Sequence, residues 1–142
     1  VIRTRLEPLS NQGIIMKFSR WLFVVAVIYG LVALLPMYFQ ESMLANTQPP
    51  AITHAEYYYG FIGVALAWQL AFALIATDPS RYRPMIIPAA LEKIAFGTAA
   101  AALYLQHRLA PLMLAAGCVD LLFAGLFLLV WWQLRTSAAP VR

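Results

Sequence analysis

The chain has 142 residues, of which 63% are hydrophobic and only 11% charged, with a mean hydropathy of +0.74 and a formal net charge of +4. A soluble domain is nearer half apolar and about a quarter charged, so these few charges cannot cover this much apolar side chain and a water-soluble fold is excluded. The positive charges mostly flank apolar stretches, which suits anionic lipid headgroups better than a nucleic acid.

In chain order, a segment bearing Arg3, Arg5, Lys17 and Arg20 leads into a first apolar stretch, Trp21–Phe39. This run exceeds the ~7–15 residue core of a signal peptide. It ends in Pro36–Met37–Tyr38 without a small-x-small cleavage site, so it is expected to be a retained span. The next connection, Gln40–Glu56, is the longest between spans. Asn46, Thr47, Pro49 and Pro50 favour turns there, and a short interfacial helix fits around Glu41–Leu44.

The second span runs over Tyr57–Thr77. It opens on Tyr57–Tyr58–Tyr59, and successive positions on a helix turn by about 100°, so at least one hydroxyl should face the bundle or the connection. Asp78–Pro79 marks its end, and Ser80–Arg83 is placed at the headgroups. The third span is roughly Met85–Leu105, entered near Pro84. A start at Pro88 would leave only ~18 residues, short of the ~20 that a bilayer core requires. Gln106–Ala110 is very short, which makes the third and fourth spans antiparallel neighbours. Pro111 suits the first position of the fourth helix, Leu112–Leu134.

A soluble four-helix bundle would show a polar face on every helix, and none of these segments has one. The expected fold is therefore all-α, a polytopic membrane protein whose single domain is an antiparallel bundle of four transmembrane helices. Arg3, Arg5, Lys17, Arg20, Arg81, Arg83, Arg135 and Arg142 fall on one side of it, against Arg108 with Glu41 and Glu56 on the other. The positive-inside rule then places both termini in the cytoplasm, at a bacterial inner membrane. Trp21, Tyr38, Tyr57, Tyr58, Tyr82, Trp131 and Trp132 form the usual aromatic belts.

Charges at bilayer depth are costly and mark sites of use. By helical rise Glu92 lies ~12 Å below the inner face and Asp120 ~14 Å below the outer one. Lys93, Gln69 and Tyr29 fall in the same layer, so each helix contributes a polar group. Glu92 and Lys93 are adjacent and do not face each other squarely. Lys93 is expected either at a helix contact or snorkelling inward. Asp120 is expected to take Lys93 across the third and fourth helices, or to share a proton with Glu92. This layer has three readings: helix–helix glue, a solvated ligand cavity, or a path for protons or ions.

Small residues bear on how the helices meet. Gly60, Gly63, Ala67 and Ala71 on the second span, Gly97 and Ala101 on the third, and Gly117 and Gly125 on the fourth have spacings that favour close approach. Any cavity is then expected to be narrow and lined by aromatics such as Tyr29, Phe61, Trp68, Phe96 and Tyr104, which suits an amphiphile better than a hydrated ion. Cys118 has no partner for a disulfide and is expected to be a packing residue.

His54 and His107, with Met37, Met43 and Glu56, are the only candidates for a metal or haem. They lack a spacing motif, and no cofactor is expected. A phosphate loop, a metalloprotease motif and a nucleophile elbow are all missing, and Ser42 and Ser80 have no credible histidine partner, so enzyme activity is disfavoured.

The stretch YYYGFIGVALAWQLAFALIATDPSRYRPMIIPAALEKIAFG, Tyr57–Gly97, resembles small uncharacterised bacterial inner-membrane proteins. In size and four-span plan the chain resembles the DoxX-like group. That resemblance implies a four-helix membrane fold and, in some members, an accessory or redox-linked subunit, and it assigns no catalytic residue. The expected function is binding or passage of a small amphiphilic molecule, with Glu92 and Asp120 polarising the site beside Lys93. Gln69 and Tyr29 would supply neutral hydrogen bonds. The alternative is a structural or accessory subunit of a membrane complex. The expected partners are membrane lipids, the amphiphile, and a homodimer or larger complex.

Overall fold

The computed structural model describes the backbone of residues 3–47 and 50–137, and the side chains of 12–47 and 50–136. Pro49 and Arg142, and the side chains of Arg3 and Arg5, lie outside the described residues. The described chain is helical, with no strand among its elements: α1 Arg3–Leu34, a 3-10 turn Leu35–Phe39, α2 Glu41–Thr47, α3 Ala55–Thr77, α4 Arg83–Leu105 and α5 Pro111–Ser137.

Four segments of 28, 23, 23 and 26 residues have the length and apolar character of membrane spans: Gln12–Phe39, Ala55–Thr77, Arg83–Leu105 and Pro111–Thr136. Within each, only 28–33% of an apolar 18-residue stretch is buried inside the protein. Large apolar side chains such as Val32, Leu70, Leu91, Leu112 and Leu122 point outward. Water does not tolerate that much exposed hydrocarbon, whereas lipid does. The chain is a multi-pass membrane protein.

Prolines and turn residues set the helix ends. α1 starts well before the expected Trp21, because residues 3–20 continue the same helix. It stops being α-helical before Pro36, which has no N–H to donate, and the chain tightens to a 3-10 turn. Pro84 sits in the first turn of α4, as expected, and Pro88 is accommodated inside the helix. Asp78 closes the connection between α3 and α4 by accepting the Arg81 amide at 3.1 Å. The 106–110 connection is a Schellman-type stop. His107 takes φ 58°, its N–H donates to the Tyr104 carbonyl, and the Arg108 N–H donates to that of Leu103. Histidine thus fills a left-handed position more often held by glycine.

The four long helices form a square: α1 beside α3, α3 beside α4, α4 beside α5, and α5 back against α1. The closest packing is within the pairs α1–α3 and α4–α5, while α3 and α4 meet more loosely. An apolar core fills the half nearer the 78–82 turn. Phe23 and Phe127 stack with centroids 4.3 Å apart, and Phe72 meets Phe127 edge-on at 5.5 Å. Leu22, Ile75, Ile86, Ala89 and Val130 pack around them. Ser19 is buried in the same half and donates to the Ile15 carbonyl at 2.7 Å.

Only part of the expected small-residue packing forms. On α4 and α5, a Cβ at Gly97 would lie 2.8 Å from the Gly117 carbonyl oxygen, and one at Gly117 would lie 2.7 Å from Ala100 Cβ. On α3, Gly60 faces open space and Gly63 approaches only the Tyr38 hydroxyl, at 3.9 Å. Gly125 also faces open space. These small side chains lie on faces turned away from the close contacts, so spacing alone misassigns them. Cys118 is exposed on the outer surface of α5 instead of packing inside.

Candidate functional site

Lys93 is the centre of the polar layer. Its helix turns it into the bundle, where it is 5% exposed, so it does not snorkel to the surface. Its Nζ donates to Asp120 Oδ2 on α5 at 3.1 Å and lies 3.5 Å from Glu92 Oε2. The cation also sits 5.5 Å from the centre of the Phe72 ring, within cation–π range. Adjacent residues on one helix thus meet at a single point, because the lysine side chain is long enough to bend back toward its neighbour. The result is one cation between two carboxylates.

Gln69 approaches from α3. It is 2% exposed, and its Nε2 donates to the Ala65 carbonyl one turn earlier at 3.0 Å. Its position is fixed by Gly30 of α1, where a Cβ would overlap the carboxamide. Two buried oxygens of this layer are under-satisfied among the described residues: Gln69 Oε1 accepts no hydrogen bond, and Glu92 Oε2 has only its ion pair with Lys93 at 3.5 Å. A buried acceptor without a donor is costly, on the order of 1–3 kcal/mol.

These groups share the wall of a cavity of about 200 Å³ between the four helices. Glu92, Lys93, Asp120, Gln69 and Tyr29 line its deep end, and Phe61, Ala65, Phe96 and Ala116 its flanks. Leu34, Met37, Gln40 and Met113 line the end near residues 35–40. From Asp120 to Met113 the cavity follows α5 for about 10 Å at ~1.5 Å per residue. Beyond the deep end lies the aromatic core of Phe23, Phe72 and Phe127. The shape is a blind chamber with a charged floor.

A second space, a lateral cleft of about 380 Å³, lies between α3 and α4. Val64, Trp68, Pro88, Leu91 and Ala95 line it, together with Phe61, Ala65, Glu92 and Phe96. Trp68 therefore belongs to the cleft and not to the chamber. Tyr104 is 39% exposed and lines neither space.

His54 and His107 do not come together as a metal site. His54 Nδ1 pairs with Glu56 Oε1 at 3.2 Å with both side chains exposed, and His107 terminates α4. No group of three or more His, Cys, Asp or Glu side chains suited to a metal ion occurs among the described residues. Over the chamber mouth, the Tyr58 hydroxyl donates to the Met37 carbonyl and that of Tyr59 to Glu41 Oε2, each at 2.6 Å.

No family model, curated protein or solved structure matches this chain.

The site residues thus come from the chain alone. Gly30, Met37, Gln40 and Met113 are parts of it that sequence reasoning missed. Gly30 had a usable signal, as the lone glycine within an otherwise bulky first span. The other three had none, since only the packed bundle brings the helix ends around one chamber.

Proposed function

We propose that this protein binds a small amphiphilic molecule in the central chamber, with its polar head against Glu92, Lys93, Asp120 and Gln69. The carrying observation is a chamber of about 200 Å³ whose wall gathers Glu92, Lys93, Asp120 and Gln69, where Gln69 Oε1 has no donor and Glu92 Oε2 has only its ion pair with Lys93 at 3.5 Å. A polar layer serving only as glue is expected to satisfy its own hydrogen bonds. Here Gln69 Oε1 has no donor, and Glu92 Oε2 has nothing beyond its ion pair with Lys93. The aromatic core below the polar floor favours binding over passage, because a path through the bundle would have to separate Phe23, Phe72 and Phe127.

Lys17, Arg20, Arg81, Arg83 and Arg135 against Arg108 support an orientation with both termini in the bacterial cytoplasm. The chamber mouth then faces the outer side of the inner membrane.

The second reading is an accessory subunit in a homodimer or larger complex, the role that the DoxX-like resemblance implies in some members. It is favoured by the Lys93–Asp120 bond, which joins α4 to α5 next to the Gly97–Gly117 contact and would rigidify the bundle without any ligand.

Calorimetric titration of the protein in phosphatidylcholine nanodiscs with dodecanol, dodecylamine and dodecanoate separates the two. Binding of at least one of them that weakens in Glu92→Gln, with the thermal midpoint of the unliganded protein retained, supports the chamber. No saturable binding by any of the three, with a lowered midpoint in Glu92→Gln, supports the accessory reading.

A further inference from the structure

The chamber and the lateral cleft share four wall residues: Phe61 and Ala65 of α3, and Glu92 and Phe96 of α4. Each pair is spaced by four, so the partition has two rungs along antiparallel helices. One rung is aromatic, with the Phe61 and Phe96 rings stacked at 6.1 Å. The other combines the methyl of Ala65 with the Glu92 carboxylate. Glu92 is the only charged residue in the wall of the cleft, and it also belongs to the charged floor of the chamber. The partition occurs at one of the two loose seams between the tight pairs, α3–α4, the other being α1–α5. An alkyl chain lying in the cleft stays in hydrocarbon and loses no apolar contact with lipid, while its head meets Glu92.

The chemistry of that head follows from what the wall lacks. Lys93 is the only cation lining either space, against the two carboxylates of Glu92 and Asp120. The under-satisfied atoms are both acceptors: Gln69 Oε1, which has no donor, and Glu92 Oε2, which has only its ion pair with Lys93 at 3.5 Å. A complementary head brings N–H donors and positive charge. An anionic head would meet carboxylates, and a quaternary ammonium would bring charge without a donor.

Resting on the chamber-binding reading, we propose that the ligand is a single-chain amphiphile with a protonated amine head. It enters from the bilayer between α3 and α4, past Phe61 and Phe96, and keeps its chain in the cleft.

Trp68 lines the cleft and serves as its reporter. In a Trp21→Phe, Trp131→Phe, Trp132→Phe background in phosphatidylcholine nanodiscs, chain-brominated dodecylamine is titrated while Trp68 fluorescence is read. Saturable quenching is expected, with affinity about tenfold weaker in Glu92→Gln, the scale of one hydrogen bond to a charged group. Ala95→Phe and Val64→Phe fill the cleft from opposite walls without entering the chamber lining, and both positions are exposed, so neither disturbs the core. Each is expected to weaken dodecylamine about tenfold while leaving butylamine, measured by calorimetry, within about twofold.

Retained dodecylamine affinity in both cleft variants, with the Glu92→Gln loss intact, overturns lateral entry and leaves the chamber reading standing. Equal affinity for chain-brominated dodecanoate or dodecyltrimethylammonium overturns the amine head. Quenching that never saturates and ignores Glu92→Gln, with no calorimetric binding of butylamine, dodecanol or dodecanoate, overturns both readings.

Discussion

Gly30 of α1 lies flat against the Gln69 carboxamide of α3, with no room for a methyl group between them. This contact sets the spacing of the α1–α3 pair and holds the Gln69 carboxamide with its oxygen against Gly30. Gly30→Ala must either move the carboxamide or separate the helices, so it is expected to lower stability by roughly 1–3 kcal/mol. Gln69→Ala makes room for the added methyl. The double variant should therefore cost clearly less than the sum of the singles, as residues in contact do. Unfolding in mixed micelles followed by circular dichroism checks this, and strict additivity would rule the contact out as the cause.

Lys93 has 5% of its surface exposed and two acidic neighbours within 3.5 Å. Lys93→Met leaves both carboxylates without their cation. Breaking a buried ion pair from one side costs on the order of 3–5 kcal/mol, whereas removing both partners is often nearly neutral. Lys93→Met should thus be the most destabilising single change in the layer, and Lys93→Met with Asp120→Leu should recover most of the loss. The same micelle unfolding assay measures it. A double variant no more stable than Lys93→Met would show that Asp120 is not the principal partner.

The fold and the polar layer were legible in the sequence for different reasons. Span length and apolar content are local properties, so four helices could be read directly, and Pro84 and Pro111 mark two of their starts. Depth is a matter of counting residues, so Glu92, Lys93, Asp120, Gln69 and Tyr29 could be assigned to one layer, and all five line the chamber. Rotation about a helix axis is not local. Each span is apolar all round, so no polar stripe reveals which side faces in. That is why Gly60 and Gly125 were expected at contacts and lie in open space, why Gly63 meets only the Tyr38 hydroxyl, and why Tyr104 and Cys118 face outward. The chamber mouth was hidden for the same reason, since it depends on where the ends of three helices converge.

Gly97 and Gly117 test rotation directly. A Cβ at Gly97 would meet Leu121 Cγ at 2.5 Å and the Gly117 carbonyl oxygen at 2.8 Å. Backbone in a helix cannot shift as a side-chain tip can, so Gly97→Ala should cost roughly 1–3 kcal/mol by forcing α4 and α5 apart. Gly60→Ala and Gly125→Ala meet nothing within 4 Å. They should be neutral or gain up to about 1 kcal/mol from helix propensity. Comparing the three substitutions by unfolding separates a packing contact from a general intolerance of substitution at glycine. Equal losses at all three positions would contradict the placement of the helix faces.

Tyr58 and Tyr59 tie the chamber mouth to α3. Their hydroxyls donate to the Met37 carbonyl and to Glu41, and the Tyr59 ring stacks on Tyr38 at 6.0 Å. Met37 and Gln40, which line the mouth, belong to the same stretch of chain. Tyr58→Phe and Tyr59→Phe each remove one bond while keeping the ring, so each should cost roughly 0.5–1.5 kcal/mol. The double variant should loosen the 3-10 turn and α2 from α3 while the spans, held elsewhere by packing, stay intact. Limited proteolysis of the nanodisc-embedded protein reads this as faster cutting between residues 40 and 54 at unchanged helix content. Cutting at the wild-type rate would mean that apolar packing alone holds the mouth, and the two hydroxyls would then be incidental to it.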